Sequence, residues 1–156
     1  MSDQDWIEVA IRMALEAEAG GNLPIGSILV LDNECIAEGR NAVLVPHYNP
    51  GGHAEIMAIR QVDPALWPRA RDMTCYSTLE PCMMCFGSLL LHGVGRVVYG
   101  AKDQQGGAEY LLGHLPEYYD GRNKPEWVGP IAQERCHPFY QRAHDCFINL
   151  PCGHLE

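Results

Sequence analysis

Basic residues are scarce in this chain. Eleven Lys and Arg stand against twenty Asp and Glu, a formal net charge of -9 at neutral pH. A protein that grips a phosphate backbone draws most of its affinity from Lys and Arg. Here these residues are scattered, the densest group being Arg69 and Arg71, so the balance disfavours a nucleic-acid partner unless folding gathers a patch. No apolar run approaches the length of a membrane span. The stretch from Met1 to Gly20 is amphipathic and acidic, without a basic n-region or an apolar h-region, and is not expected to be a signal peptide. Internal repeats and low-complexity segments are also missing. The seven cysteines are an odd number, which argues against an extracellular disulfide framework and fits a reducing cytoplasm. What remains is 156 residues of ordinary globular composition, enough for one domain, 1–156, with its own core.

Apolar periodicity predicts a helix from Asp5 to Ala19, with Ser2 or Asp3 as its cap and Gly20-Gly21-Asn22 as its stop. Gly26 to Leu31 and Cys35 to Arg40 read as strands, joined by a tight turn at Asp32-Asn33. A loop from Asn41 to Gly52 leads into a short helix, Ala54 to Arg60, and a polar, Pro-punctuated connection runs from Asp63 to Asp72. Met73 to Thr78 reads as a strand, Pro81 to about Leu91 as a helix with Pro81 at its first position, and Gly95 to Gly100 as a further strand. Strand, helix and strand in that order imply a parallel pair with a helical crossover. A helical turn at Ala108 to Leu112, a short strand at Trp127-Val128, and a helix from Ile131 to Ile148 interrupted by Pro138 complete the reading.

Two motifs carry chemistry. His53-Ala54-Glu55 and Pro81-Cys82-Met83-Met84-Cys85 together supply three metal ligands, His53, Cys82 and Cys85, and a carboxylate, Glu55, that is not needed as a ligand. Three protein ligands with an open position mark a catalytic zinc, whereas structural zinc is closed by four. Cys82 and Cys85 are neighbours on one helix face, near an N-terminus whose dipole favours thiolates. His53 and Glu55 are two apart and would diverge on a regular helix, so His53 must sit at the helix entry. Taken singly, each has an ordinary reading: buried cysteines as small hydrophobes, a histidine cap, a solvated glutamate. A closed four-ligand site would need a further donor, for which Cys136, His137, His144, Cys146, Cys152 and His154 are available. Their spacings match no common zinc template, and they read as core cysteines and surface histidines.

These motifs, with Pro24-Ile25-Gly26, Glu38-Gly39-Arg40-Asn41, the run His53 to Arg60, the run Thr78 to Cys85 and the run Gly95 to Asp103, resemble the cytidine deaminase-like superfamily. The likeness is to its branch of tRNA adenosine deaminases, guanine deaminases and fungal-type cytosine deaminases, and it spans about Trp6 to Asp103. The resemblance implies a three-layer α/β/α sandwich around a five-stranded mixed sheet, one Zn2+ per chain held by His53, Cys82 and Cys85, a proton shuttle at Glu55, and a homodimer. It places Asn41 against the bound base or its sugar, and makes Pro24, Ile25 and Ala54 substrate-contact positions.

Departures bear on the substrate. The C-terminal stretch carries Glu134, Cys136, His144, Asp145 and Cys146 in place of the basic residues of tRNA-acting members, and Gly106-Gly107-Ala108-Glu109-Tyr110 replaces the Gly-Phe-Asp of guanine deaminases. His47, Tyr48 and Asn49 are expected to cover a small pocket, with Tyr110, Tyr118, Tyr119, Phe139 or Tyr140 as candidates to close it. The leading expectation is a hydrolytic deaminase of a free base, nucleoside or related heterocycle. A tRNA-specific adenosine deaminase, making inosine, is the alternative, and a non-catalytic zinc-stabilised scaffold the second.

Overall fold

The computed structural model describes residues 1–122 and 124–149. Helix α1, Asp3–Ala19, starts two residues before the expected Asp5, with Ser2, one of the two expected caps, forming a capping box: its hydroxyl accepts from the Asp5 N–H while the Asp5 carboxylate accepts from the Ser2 N–H. Strands β1, Gly26–Leu31, and β2, Glu34–Arg40, form an antiparallel hairpin. Asp32 and Asn33 both take positive φ, 52° and 59°, as a two-residue turn that follows strand twist requires. Helix α2, Ala54–Ile59, precedes a 3-10 helix at Pro64–Asp72, where a polar connection was expected. Asp63 caps that helix by accepting from the Ala65 N–H at 2.9 Å, and Pro64 opens it.

Strand β3, Thr74–Leu79, helix α3, Met83–His92, and strand β4, Arg96–Ala101, form the expected parallel crossover. A second 3-10 helix, Glu109–Gly113, and the short α4, Glu117–Asp120, lead to β5, Glu126–Val128. Helix α5, Gln133–Ile148, runs straight through Pro138, which was expected to interrupt it. Burial of Cys136, Phe139 and Ala143 on one face outweighs the single lost backbone hydrogen bond.

The sheet order is β2-β1-β3-β4-β5, with β1 antiparallel to both neighbours and β3, β4 and β5 parallel. Side chains alternate across it. Ile28, Val30, Tyr76 and Val98 meet α1 and α5 on one face; Leu29, Leu31, Cys75 and Val97 meet the layer of α2 and α3 on the other. The chain is thus an α/β/α sandwich around a five-stranded mixed sheet. No helix among the described residues is long and apolar enough to cross a membrane.

Two glycines permit close approach at the layers. A Cβ on Gly26 would lie 2.2 Å from the Ala10 carbonyl of α1, and one on Gly39 would lie 1.9 Å from the Ala54 carbonyl of α2. The second approach seats the helix that carries His53 and Glu55 directly on β2.

Candidate metal centre and its cavity

Both motifs stand at helix entries on the same side of the sheet. His53 is the N-cap of α2, in extended conformation at φ -68° and ψ 149°. That solves the geometric problem of two ligand-type residues two apart: His53 leaves the helix path and Glu55 turns inward from the first turn. Cys82 is likewise the N-cap of α3, at φ -75° and ψ 175°, and Cys85 lies in the first turn. The helix therefore starts two residues later than Pro81, which lies outside it. The Pro81 carbonyl instead accepts from the Ala108 N–H at 3.0 Å.

The three donors converge. Cys82 Sγ is 3.5 Å from His53 Nδ1, Cys85 Sγ is 3.6 Å from the same nitrogen, and the sulfurs are 3.8 Å apart. Tetrahedral zinc, with sulfur at ~2.3 Å and nitrogen at ~2.0–2.1 Å, requires about 3.8 Å between sulfurs and about 3.6 Å from sulfur to nitrogen. The residues fit the ion. Among the described residues no further His, Cys, Asp or Glu joins the group, so Cys136, His137, His144 and Cys146 do not close it. Cys152 and His154 lie outside the described residues.

Electrostatics favour ligand chemistry. The Cys82 thiol falls to about 4, with the Cys85 thiol donating to it and His53 adding to the effect against the cost of burial. The same pairing and deep burial push Cys85 upward, and the hydrogen bond to Cys82 raises His53. Glu55 is 4% exposed. Burial pushes its carboxyl upward, while Ser77 Oγ donates to Oε1 at 2.8 Å and holds it in place. Its other oxygen, Oε2, is 3.3 Å from Cys85 Sγ. Ser77 reaches it because Cys75 and Ser77 share the β3 face that meets α2.

His53, Cys82 and Glu55 line a cavity of about 290 Å³, near the lower end of small-ligand pockets. Asn41, Ile25 and Ala54 line it too. Asn41 is 2% exposed, and its Oδ1 accepts from the Val43 N–H at 3.1 Å, which fixes the side chain. Pro24 does not line the cavity. It is the centre of a three-residue turn closed by Ile25 N–H to Leu23 O at 2.7 Å, and the turn puts Leu23 and Ile25 on the wall and Pro24 off it.

His47, Tyr48 and Asn49 do not line the cavity either; from that loop Asn41, Val43 and Pro50 reach it. The loop curls on itself, with Asn49 N–H to Val43 O at 2.7 Å and Gly52 N–H to Asn49 O at 2.9 Å. Of the five aromatic candidates only Tyr140 is on the wall. Tyr110 and Tyr118 are exposed, and Phe139 is in the core. The outer wall is instead made by α5, through Tyr140, Ala143, His144 and Phe147, and by Glu80, Asp103, Gln105 and Gly106. The helical spacing of 140, 143, 144 and 147 was the one available signal for that face.

Residues 1–101 match the cytidine and deoxycytidylate deaminase zinc-binding region. The chain is 36% identical to the tRNA-specific adenosine deaminase of Bacillus subtilis (strain 168), covering 86% of this chain and 83% of that protein. It is 35% identical to the protein of the same name from Haemophilus influenzae, over 86% and 78% respectively. A structure solved in a study of A-to-I editing by tRNA:A34 deaminases superposes with a TM-score of 0.74 at 30% identity, covering 87% of this chain and 99% of the other. With a zinc-type donor set and a matching fold, the chain belongs to the cytidine and deoxycytidylate deaminase family of zinc-dependent hydrolases acting on C–N bonds.

Proposed function

We propose that this chain hydrolyses the exocyclic amino group of a nucleobase seated in the cavity, and that adenosine in tRNA is the substrate. The chemistry rests on one observation: three donors spaced for a tetrahedral ion, with Glu55 beside them, at the end of a base-sized cavity. The choice of tRNA is supported by the relatives, similar over most of both chains, that carry that activity in their names. It departs from the small-molecule substrate expected from the acidic charge and the missing basic tail.

Zinc, when bound by His53, Cys82 and Cys85, supplies the Lewis acidity that makes a water molecule acidic near neutral pH. Glu55 accepts a proton from the attacking water and delivers it to the ring nitrogen beside the amino-bearing carbon. It then carries the second proton to the amine, the C–N bond breaks, and ammonia leaves as the oxo form remains. One carboxylate can do both, because each transfer returns it to the state the next one needs. Ser77 keeps Oε1 oriented. In this reading Asn41, on the cavity wall, hydrogen-bonds the base or sugar, and Ile25 and Ala54 pack on the ring.

A second reading is a free base or nucleoside. It is favoured by the charge of -9 and by the fate of the cations: Arg40, Arg69, Arg96, Lys102, Lys124, Arg135 and Arg142 are all engaged by carboxylates. Such cations have less to offer a phosphate backbone. Ammonia release from zinc-loaded protein decides, with a tRNA anticodon stem-loop, adenosine, cytosine, guanine and their nucleosides as the panel. Inosine in the stem-loop, with KM rising steeply with salt, supports the tRNA reading. Salt-insensitive turnover of a free base or nucleoside, with the stem-loop untouched, supports the second. No ammonia from any substrate overturns both.

A further inference from the structure

The Glu80 side chain is fully buried, with 0% exposure, in the turn between β3 and Cys82. A buried carboxylate is costly unless its charge is met, and this one is met almost entirely by a single loop. Its Oε1 accepts from the Glu109 N–H at 3.1 Å and from Lys102 Nζ at 3.3 Å; its Oε2 accepts from the Asp103 N–H at 3.2 Å. None of these bonds goes to His53, Cys82 or Cys85. We propose that Glu80 is a positioning residue that latches the loop 102–109 as the outer wall of the cavity and thereby sets how substrate is held. The inference rests on the cavity being the substrate site.

The loop is built to receive the latch. Asp103 Oδ1 accepts from the Gln105 and Gly106 N–H groups at 3.0 and 2.9 Å, and the Asp103 carbonyl accepts from the Gly107 N–H at 3.2 Å. The chain therefore winds tightly around Asp103. Gly107 pairs with Cys82 across an antiparallel bridge, and a Cβ there would fall 2.2 Å from Glu80 Oε2 and 2.6 Å from the Asp103 carbonyl. Only glycine lets the loop close down on the carboxylate. The closed loop presents Asp103, Gln105 and Gly106 to the cavity. It also faces the last helix, whose Tyr140 lines the same cavity as Asp103. Glu80 thus connects the metal-bearing turn to the loop side of the outer wall without touching a donor.

Glu80→Gln and Gly107→Ala attack this contact from its two sides. Each is expected to speed amide hydrogen exchange at residues 103 and 109 at least tenfold while zinc stays at one per chain. On whichever panel substrate turns over, KM should rise about tenfold with kcat falling no more than about threefold. The double variant should be no worse than either single variant, since both break one contact. Unchanged exchange, lost zinc, a fall in kcat at constant KM, or additive effects would each overturn the latch. Should these variants not fold, Lys102→Met removes the ammonium from the same carboxylate; a KM rise of about threefold supports the latch and an unchanged KM overturns it. A panel with no turnover at all sinks the deaminase reading, while the exchange data still decide the latch.

Discussion

At the scale of single residues, one carboxylate has no structural substitute. Glu55 has Ser77 on one oxygen and the Cys85 sulfur near the other, and it is not needed to complete the donor set. Glu55→Ala should therefore keep one zinc per chain by metal analysis and lose at least ~10²-fold in kcat, the usual contribution of general acid–base catalysis. A zinc-loaded variant at near wild-type speed would remove Glu55 from the reaction. The donors and this carboxylate were legible in the sequence because each pair is close along the chain: two residues for His53 and Glu55, three for Cys82 and Cys85. The wall facing them was not. Glu80 meets Glu109, and Asp103 shares the cavity with Tyr140, across separations that no local pattern records. Pro24 illustrates the opposite case: its neighbours are on the wall, and a tight turn leaves it off the lining.

At the scale of elements, helix entries and close approaches do the positioning. Gly39 lets α2 settle on β2 with no side chain between them. Gly39→Ala would drive a methyl into the Ala54 carbonyl and the Ala58 amide, at 1.9 and 2.6 Å. The expected result is a loss of about 1–3 kcal/mol by overpacking, together with weaker zinc binding as His53 moves, read by thermal unfolding and zinc titration. Gly93 makes a useful contrast. It ends α3 at φ 82°, far from the donors, and a Cβ there has its nearest neighbour 3.8 Å away. Gly93→Ala should cost about 1 kcal/mol through backbone strain alone, with zinc affinity unchanged. The Asp32-Asn33 hairpin and the Ser2 cap were readable because turn and cap chemistry is local. The continuous α5 was not, since packing of Phe139 and Ala143 decides against the signal of Pro138.

At the scale of the whole molecule, one ion cluster ties the first helix to the far side of the sheet. Asp3 of α1 accepts from Nη1 and Nη2 of Arg96 at 2.8 Å and from the Tyr76 hydroxyl at 2.7 Å, and Arg96 Nε donates to Glu126 of β5. Hydrogen bonds from Arg96 first, then from Tyr76, hold the Asp3 carboxyl below the usual range against some desolvation. A carboxyl lowered on folding contributes stability above its unfolded value near ~4, and the contribution fades as pH falls through the folded value. With the Asp3 side chain 34% exposed, solvent screening limits the contribution to about 1 kcal/mol. Asp3→Asn should unfold roughly 2–4 °C earlier at pH 7, and the gap should close on acidification below about pH 4. A gap that is constant with pH would mean the loss is one of packing and not of charge.

The cavity is assembled from several stretches of chain. His53, Glu55, Cys82 and Cys85 fall between positions 53 and 85, whereas Tyr140, Ala143, His144 and Phe147 arrive from the final helix, past the 1–101 stretch that carries the family match. Grafting a different last helix onto this scaffold would therefore redirect which amine is accepted and leave the bond-breaking apparatus intact. A lineage exploring new substrates could do so by rewriting its tail.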